Sequence, residues 1–560
     1  MASRLDTLTK VWECTQAGLN GRYSSDRALS LASYVKEVRL FRALVVLLAT
    51  PLPCLVATIL VDVVKLDDPS QGLQGNTTFI AREYATYWLM SFLGAQQFRT
   101  SVPILPYPMK FVILNTFVVA AISISILYGF GSVIGFPVPF TIIVGCPAWV
   151  TSLSASLALV WMKKIRETPE AWSMVMNVFK QWMCQVGLVI VYPLYFYVFT
   201  TLSHIGQIMF ALLLPVIKIL ARSALTHTMV HVRDDMPEVV IFNAEVFNAL
   251  FVSYCMQNSP SIWTALELMA VDVIQLMLTL RKIKSARHKL DALSRQVEQE
   301  SSWGTRLLSC QHISKTDQVS TPLERAQLLL SMSHVVEAQT TTVSPLMQMT
   351  SVLVESDKSE GQKTKESSHR VSPMKEPRGS FAVKTQSSRV TKRLLAWPKR
   401  KNSVVPSQVI SLPQLPATMQ YTMEVRRLLY TSEFVLLRNY VEVIIPLVFS
   451  IYLAIMYQLP NRKYYAQLAD IDEGQLLQTL HNVLLYCVLQ FTSLLAVMLM
   501  LHTELGLSPI RQLAFVLEKQ FAGAQIKLVF WVFYNVQASL QHYGFDYSFQ
   551  FAWLHQDDPA

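Results

Sequence analysis

The sequence predicts an all-α, polytopic membrane helix bundle of ten or eleven spans, interrupted by one long, largely disordered cytosolic loop. Three observations predict it. Of the 560 residues 52% are hydrophobic and only 15% are charged, whereas a soluble globular chain carries about a quarter charged residues. Eleven apolar stretches reach, or nearly reach, the roughly twenty residues that a bilayer crossing requires. The positive charge is also concentrated: residues 281–430 hold 24 Lys and Arg against 12 Asp and Glu, which leaves the remainder of this +10 chain slightly negative. These observations divide the chain into a cytosolic N-terminal region (1–42), a bundle of about eight spans (43–280), a basic loop (281–430), two or three further spans (431–541) and a C-terminal tail (542–560).

The elements follow in order. Residues 1–40 are polar and of mixed charge, without the pattern of a cleavable signal peptide, so the apolar run 43–64 is expected to act as a retained signal anchor. The next run, 85–106, carries Gln96, Gln97 and Arg99. It is read as a span because only its crossing keeps Lys163, Lys164, Arg166 and the basic loop on one side, as the positive-inside rule asks. Runs 111–131 and 137–162 form a hairpin, with Gly129, Gly131 and Gly135 ahead of Pro137 and Pro139 supplying the turn. Spans follow at 182–202 and 205–222, interrupted by Pro193 and Pro215, then at 238–257 and 262–280, separated only by Asn258-Ser259-Pro260-Ser261. Beyond the loop come 434–457, 479–501 and the weaker 523–541, which contains Lys527. Eleven crossings place the C-terminus outside, ten place it inside.

Seven Lys and Arg within residues 1–42 place the N-terminus in the cytosol, of either the plasma membrane or an endomembrane. The sequon Asn76-Thr77-Thr78 then falls in an extracytosolic loop and makes Asn76 a glycosylation candidate. The basic loop begins as a helical extension, with Leu290, Leu293 and Val297 at helical spacing, and from 340 to 416 its Ser, Thr, Lys, Gln and Pro suit disorder. Ser372 and Ser403 follow basic residues and are phosphorylation candidates. Each phosphate would add about −2 charge and could release the tract from anionic lipid. Besides the bilayer, the expected partners are anionic lipid or a cytosolic protein at this loop. Positive-inside charge explains the basicity without nucleic acid.

Ionisable groups inside spans are costly and therefore functional candidates. Glu245 and Asn248 lie three apart in the seventh span; Glu267, Asp272 and Gln275 lie in the eighth, the last two again three apart. Counted outward from the short turn, Glu245 and Asp272 reach similar depth, where two carboxylates could bind a cation or share a proton. The structural alternative is polar bonding between packed helices. Arg438 and Glu442, one turn apart, read as an intrahelical pair, with Arg438 and Lys218 snorkelling to the interface. His227, His231, Asp234 and Asp235 could approach one metal ion, but no second histidine box accompanies them. The seven cysteines are scattered and form neither a disulfide framework nor zinc spacing. No nucleotide, kinase or hydrolase motif is present, so no cofactor is expected, and a membrane-embedded enzyme, the third alternative, has no repeated catalytic motif to support it.

The run Ile241–Gln257 (Ile-Phe-Asn-Ala-Glu-Val-Phe-Asn-Ala-Leu-Phe-Val-Ser-Tyr-Cys-Met-Gln), with the hairpin Gly135–Trp149, resembles a large group of multi-pass transmembrane proteins found in oomycetes. The resemblance spans roughly residues 40–280 and part of the chain's end. It implies membrane class and carries over no functional residue. The leading expectation is a transporter or channel for a cation or proton-coupled solute; the alternative is a non-transporting scaffold or signalling protein acting through its basic loop.

Overall fold

The computed structural model describes residues 21–211, 213–228, 234–258, 262–305, 417–466, 468–469 and 471–545. Among them the structure is helical throughout, with one isolated bridge between Tyr465 and Leu540. A short N-terminal helix, α1 (Ser25–Glu37), begins where the Ser24 side chain accepts the Arg27 backbone N–H at 3.1 Å. The first apolar run forms α2 (Leu40–Ala49) and α3 (Leu52–Val63), broken at Pro51, which has no N–H to continue the ladder. Then come α4 (Thr77–Ser101), α5 (Met109–Ile134), α6 (Thr141–Glu167), α7 (Pro169–Thr201), α8 (His204–Ala211), α9 (Leu213–Thr228), α10 (Met236–Asn258) and α11 (Ile262–Thr305). The C-terminal part adds α12 (Ala417–Met456), α13 (Glu473–Leu505), α14 (Pro509–Lys519) and α15 (Phe521–Gln537).

Several helices are longer than the apolar runs that predict them. α4 begins at Thr77 and therefore includes Arg82 and Glu83. α11 and α12 extend into both flanks of the segment read as a loop, because their polar stretches keep a buried stripe: Leu290 on α11, and Tyr421, Val425 and Leu428 on α12.

Inter-element bonds define two ends. At one, Ser24 N–H donates to Asp234 (2.9 Å), Tyr23 N–H to the Arg426 carbonyl (3.2 Å) and Gln520 to Asp235 (2.6 Å). At the other, Leu66 N–H donates to Asn461 (2.8 Å), Phe140 N–H to the Gly544 carbonyl (3.0 Å) and Ala466 N–H to the Ser539 carbonyl (3.2 Å).

Seven of these helical segments are long and apolar enough to cross a membrane, and large apolar side chains face outward along several of them, with Val133 of α5 and Leu159 of α6 each 86% exposed. In water such a surface would be an aggregation liability; in lipid it costs nothing. The protein is an integral multi-pass membrane protein. The others include α4, whose apolarity is lowered by Arg82 and Glu83, and the shorter α9 (16 residues) and α15 (17 residues), which carry Lys218 and Arg222, and Lys527. Their charges point into the bundle rather than to its surface, so they lower hydropathy without meeting lipid.

A glycine docks the last described turn. Gly544 has φ +60°, and a Cβ there would lie 2.2 Å from the Val138 carbonyl oxygen in the turn between α5 and α6. Gly544→Ala combines a left-handed backbone with that overlap and is expected to cost about 2 kcal/mol or more, read as a lower melting temperature in detergent.

Candidate functional site

α10 is enclosed. Every residue from Met236 to Ser253 is buried, against α9, α12, α13 and α15. A helix buried on all faces cannot place a polar side chain in solvent, so each of its polar groups must find a partner inside. Glu238 pairs with Lys527 of α15 at 2.7 Å. Asn243 accepts from Gln185 of α7 (2.6 Å) and from the Trp531 indole of α15 (3.1 Å).

Glu245 is the centre of a longer chain of charges. Its Oε2 lies 2.8 Å from Lys218 Nζ, and its other oxygen pairs with Arg222, one turn further along α9. The same Lys218 ammonium lies 3.1 Å from Glu442 of α12, whose Oε1 also accepts from Arg438 Nε at 3.0 Å. Three helices are thus joined in the order Arg222, Glu245, Lys218, Glu442, Arg438. Lys218 and Arg438 are buried and bonded to acids rather than snorkelling to an interface. Two carboxylates enclose the Lys218 ammonium and offset part of its desolvation.

The other candidates divide. Asn248 and Gln275 are buried, and their side-chain carbonyl oxygens have no hydrogen-bond partner. The side chains of Glu267 and Asp272 lie outside the described residues. The expected pairing of the seventh and eighth spans is replaced: α10 packs principally on α12 and α15, while α11 packs on α12 and α13. α12, distant in sequence, packs on α10 and brings Glu442 to Lys218, and the described groups that pair with Glu245 are Lys218 and Arg222. His227 is exposed and its Nδ1 meets the Ser223 carbonyl at 2.8 Å. Asp234 and Asp235 accept from Ser24 and Gln520, and His231 lies outside the described residues. Among the described residues no group of His, Cys, Asp or Glu could hold a metal ion. Asn76 is fully buried and its amide donates to the Asp68 and Gly72 carbonyls, both at 2.9 Å, which leaves no room for a glycan on that nitrogen. Ser372 and Ser403 lie outside the described residues.

Sequence reasoning missed two further buried pairs. Asp62 of α3 holds Arg82 of α4 at 2.6 Å, and Glu433 of α12 holds Arg27 of α1 at 2.8 Å. The signal for the first was present, since Asp62 interrupts an otherwise apolar run. Near the Asp62 pair, His542 is fully buried, stacked on Phe79 at 5.0 Å and edge-on to Tyr464 at 5.0 Å. Its Nε2 donates to the Asp67 carbonyl at 2.9 Å, and Nδ1 has no partner. Burial pushes its pKa down from 6.5 to about 4, against the opposing pull of that bond and of Asp67 and Asp68; Arg82 pushes the same way as burial. The unfolded chain therefore takes up a proton that the folded one refuses between about pH 6.5 and 4. Stability is full above 6.5 and falls as pH drops through that window, by up to roughly 3 kcal/mol. His542→Phe is expected to flatten the melting temperature across the same window.

Compared with known protein families, curated proteins and solved structures, the chain matches none. Its function has to be read from the interior itself.

Proposed function

We propose that the protein is a transporter or channel for a proton-coupled or cationic solute, and that the chain Arg222–Glu245–Lys218–Glu442–Arg438 is its charge-handling element. The observation that carries this reading is the position of one ammonium between two buried acids on different helices, 2.8 Å from Glu245 and 3.1 Å from Glu442. Protonating or neutralising either acid frees Lys218 to the other and changes which helices are tied together. Charge exchange inside a bundle is a means of coupling a proton to helix movement. Because protein cations already occupy Glu245, coupling to a proton is favoured over direct cation binding at that carboxylate. Asn248 and Gln275 support the reading as buried acceptors that no donor among the described residues satisfies.

The test is proton and cation flux into proteoliposomes under an imposed pH gradient or potential. Wild-type protein is expected to conduct or exchange, and Glu245→Gln or Glu442→Gln to reduce the rate by an order of magnitude or more at matched assembly and yield. Flux indifferent to both substitutions, or none in wild type, would shift the reading to polar groups that only bind helices together and to a scaffold acting through the basic loop.

A further inference from the structure

A cavity of about 80 Å³ lies between α4, α6, α7 and α15. That is several times the roughly 10–15 Å³ that one water needs, and it suits the head and first carbons of a small ligand. Its body is apolar and aromatic, with Tyr87, Trp149 and Phe533 on the wall, and its polar groups are Glu83, Gln537 and Tyr543. None of the five residues of the charge chain lines it, so this site stands or falls apart from the transport reading.

Glu83 is the feature that needs an occupant. The fully buried acids among the described residues are Asp62, Glu83, Glu238, Glu245, Glu433 and Glu442. Each of the other five has a cation: Arg82, Lys527, Lys218 with Arg222, Arg27, and Arg438 with Lys218. Glu83 has only a hydroxyl, Tyr543 donating to Oε2 at 2.6 Å, because the adjacent Arg82 is turned to Asp62. Beside it Gln537 is buried, accepts from Arg82 through its carbonyl oxygen, and leaves its amide nitrogen without a partner. A buried carboxyl group lacking a counter-ion, and a buried donor lacking an acceptor, both border the same cavity. Unpaired polar groups of this kind are expensive unless something else completes them.

We propose that the cavity binds a lipophilic amine, its protonated nitrogen on Glu83 and its apolar body among the aromatic rings. A cation gains most here: it meets the one buried acid among the described residues that makes no ion pair, and aromatic faces add attraction for it. The Gln537 amide is placed to donate to an oxygen on the same ligand.

The experiment uses the full chain in phosphatidylcholine nanodiscs and two photoreactive probes of equal length, a diazirine alkylamine and the matching alcohol, with labelled residues mapped by mass spectrometry. Saturable amine labelling of the cavity wall is expected, weaker on the order of tenfold or more in Glu83→Gln, while the alcohol labels weakly and equally in both. Val186→Trp fills the cavity and leaves the acid intact; it should remove labelling by the amine while melting like wild type. Amine and alcohol labelling alike, amine labelling undiminished in Glu83→Gln, or labelling unchanged in Val186→Trp would each overturn the proposal in favour of simple partition into the bilayer.

Discussion

Asp62→Ala is expected to lower stability by about 3–5 kcal/mol, because it removes the partner of a guanidinium that cannot reach water. Asp62 is completely buried and receives four groups. Arg82 Nη2 donates to Oδ1 at 2.6 Å, the Tyr465 hydroxyl to the same oxygen, and the Tyr452 hydroxyl to Oδ2 at 3.0 Å. Asn461 adds a bond to the Asp62 carbonyl at 2.9 Å. One carboxylate therefore fastens α3 to α4, to α12 and to the turn that follows α12. Without it, Arg82 keeps only neutral partners, the Tyr465 hydroxyl and the Gln537 carbonyl. A paired substitution, Asp62→Leu with Arg82→Met, removes both charges together and should recover most of the loss. Melting in detergent decides: a single variant within about 1 kcal/mol of wild type would show that the bundle solvates Arg82 some other way.

Glu433→Ala is the second large effect, at about 3 kcal/mol. Its carboxylate accepts twice from Arg27 Nη2, at 2.8 and 3.0 Å, and from the Tyr23 hydroxyl. Arg27 is otherwise wrapped by the rings of Tyr23 (5.0 Å) and Phe515 (5.8 Å), with Asp235 at 3.9 Å. The pair is the main polar tie between α1 and the long helix α12, so its loss should expose α1 before the rest of the bundle. Limited trypsin digestion is the readout: Glu433→Ala should be cut at Arg27 or Lys36 under conditions that spare wild type. The double variant with Arg27→Met should resist cleavage at Lys36 better than the single one. Equal resistance in wild type and Glu433→Ala would mean that apolar packing and the bonds of Ser24 and Ser25 to Asp234 and Arg426 hold α1 without this pair.

How much of this interior was legible follows from how far apart its parts are in the chain. Arg438 and Glu442 were readable as a pair because a helix brings i and i+4 together whatever surrounds it. Glu245 was readable as a buried acid because it sits in an apolar run. Its partner was not: Lys218 also meets Glu442, 224 residues away, and no periodicity links them. The short turn between α10 and α11 made a facing hairpin the simplest expectation, yet packing preferred α12, which presents a buried surface along almost its whole length. Glu83 shows the same limit. It sits beside Arg82 in sequence, but successive helix residues point in different directions, so the arginine serves Asp62 and the glutamate borders the cavity.

The sequence by itself determined the membrane class and the helical architecture. Both depend on quantities summed along the chain, the length of apolar runs and the scarcity of charge within them, and a bilayer accepts few other solutions to backbone hydrogen bonding. Only the tertiary structure decided which charges meet. Lipid offers no alternative partner for a buried lysine or glutamate, so each takes whichever opposite group the packing of distant helices brings within about 3 Å. That packing is set by side-chain shape, and local composition carries little record of it.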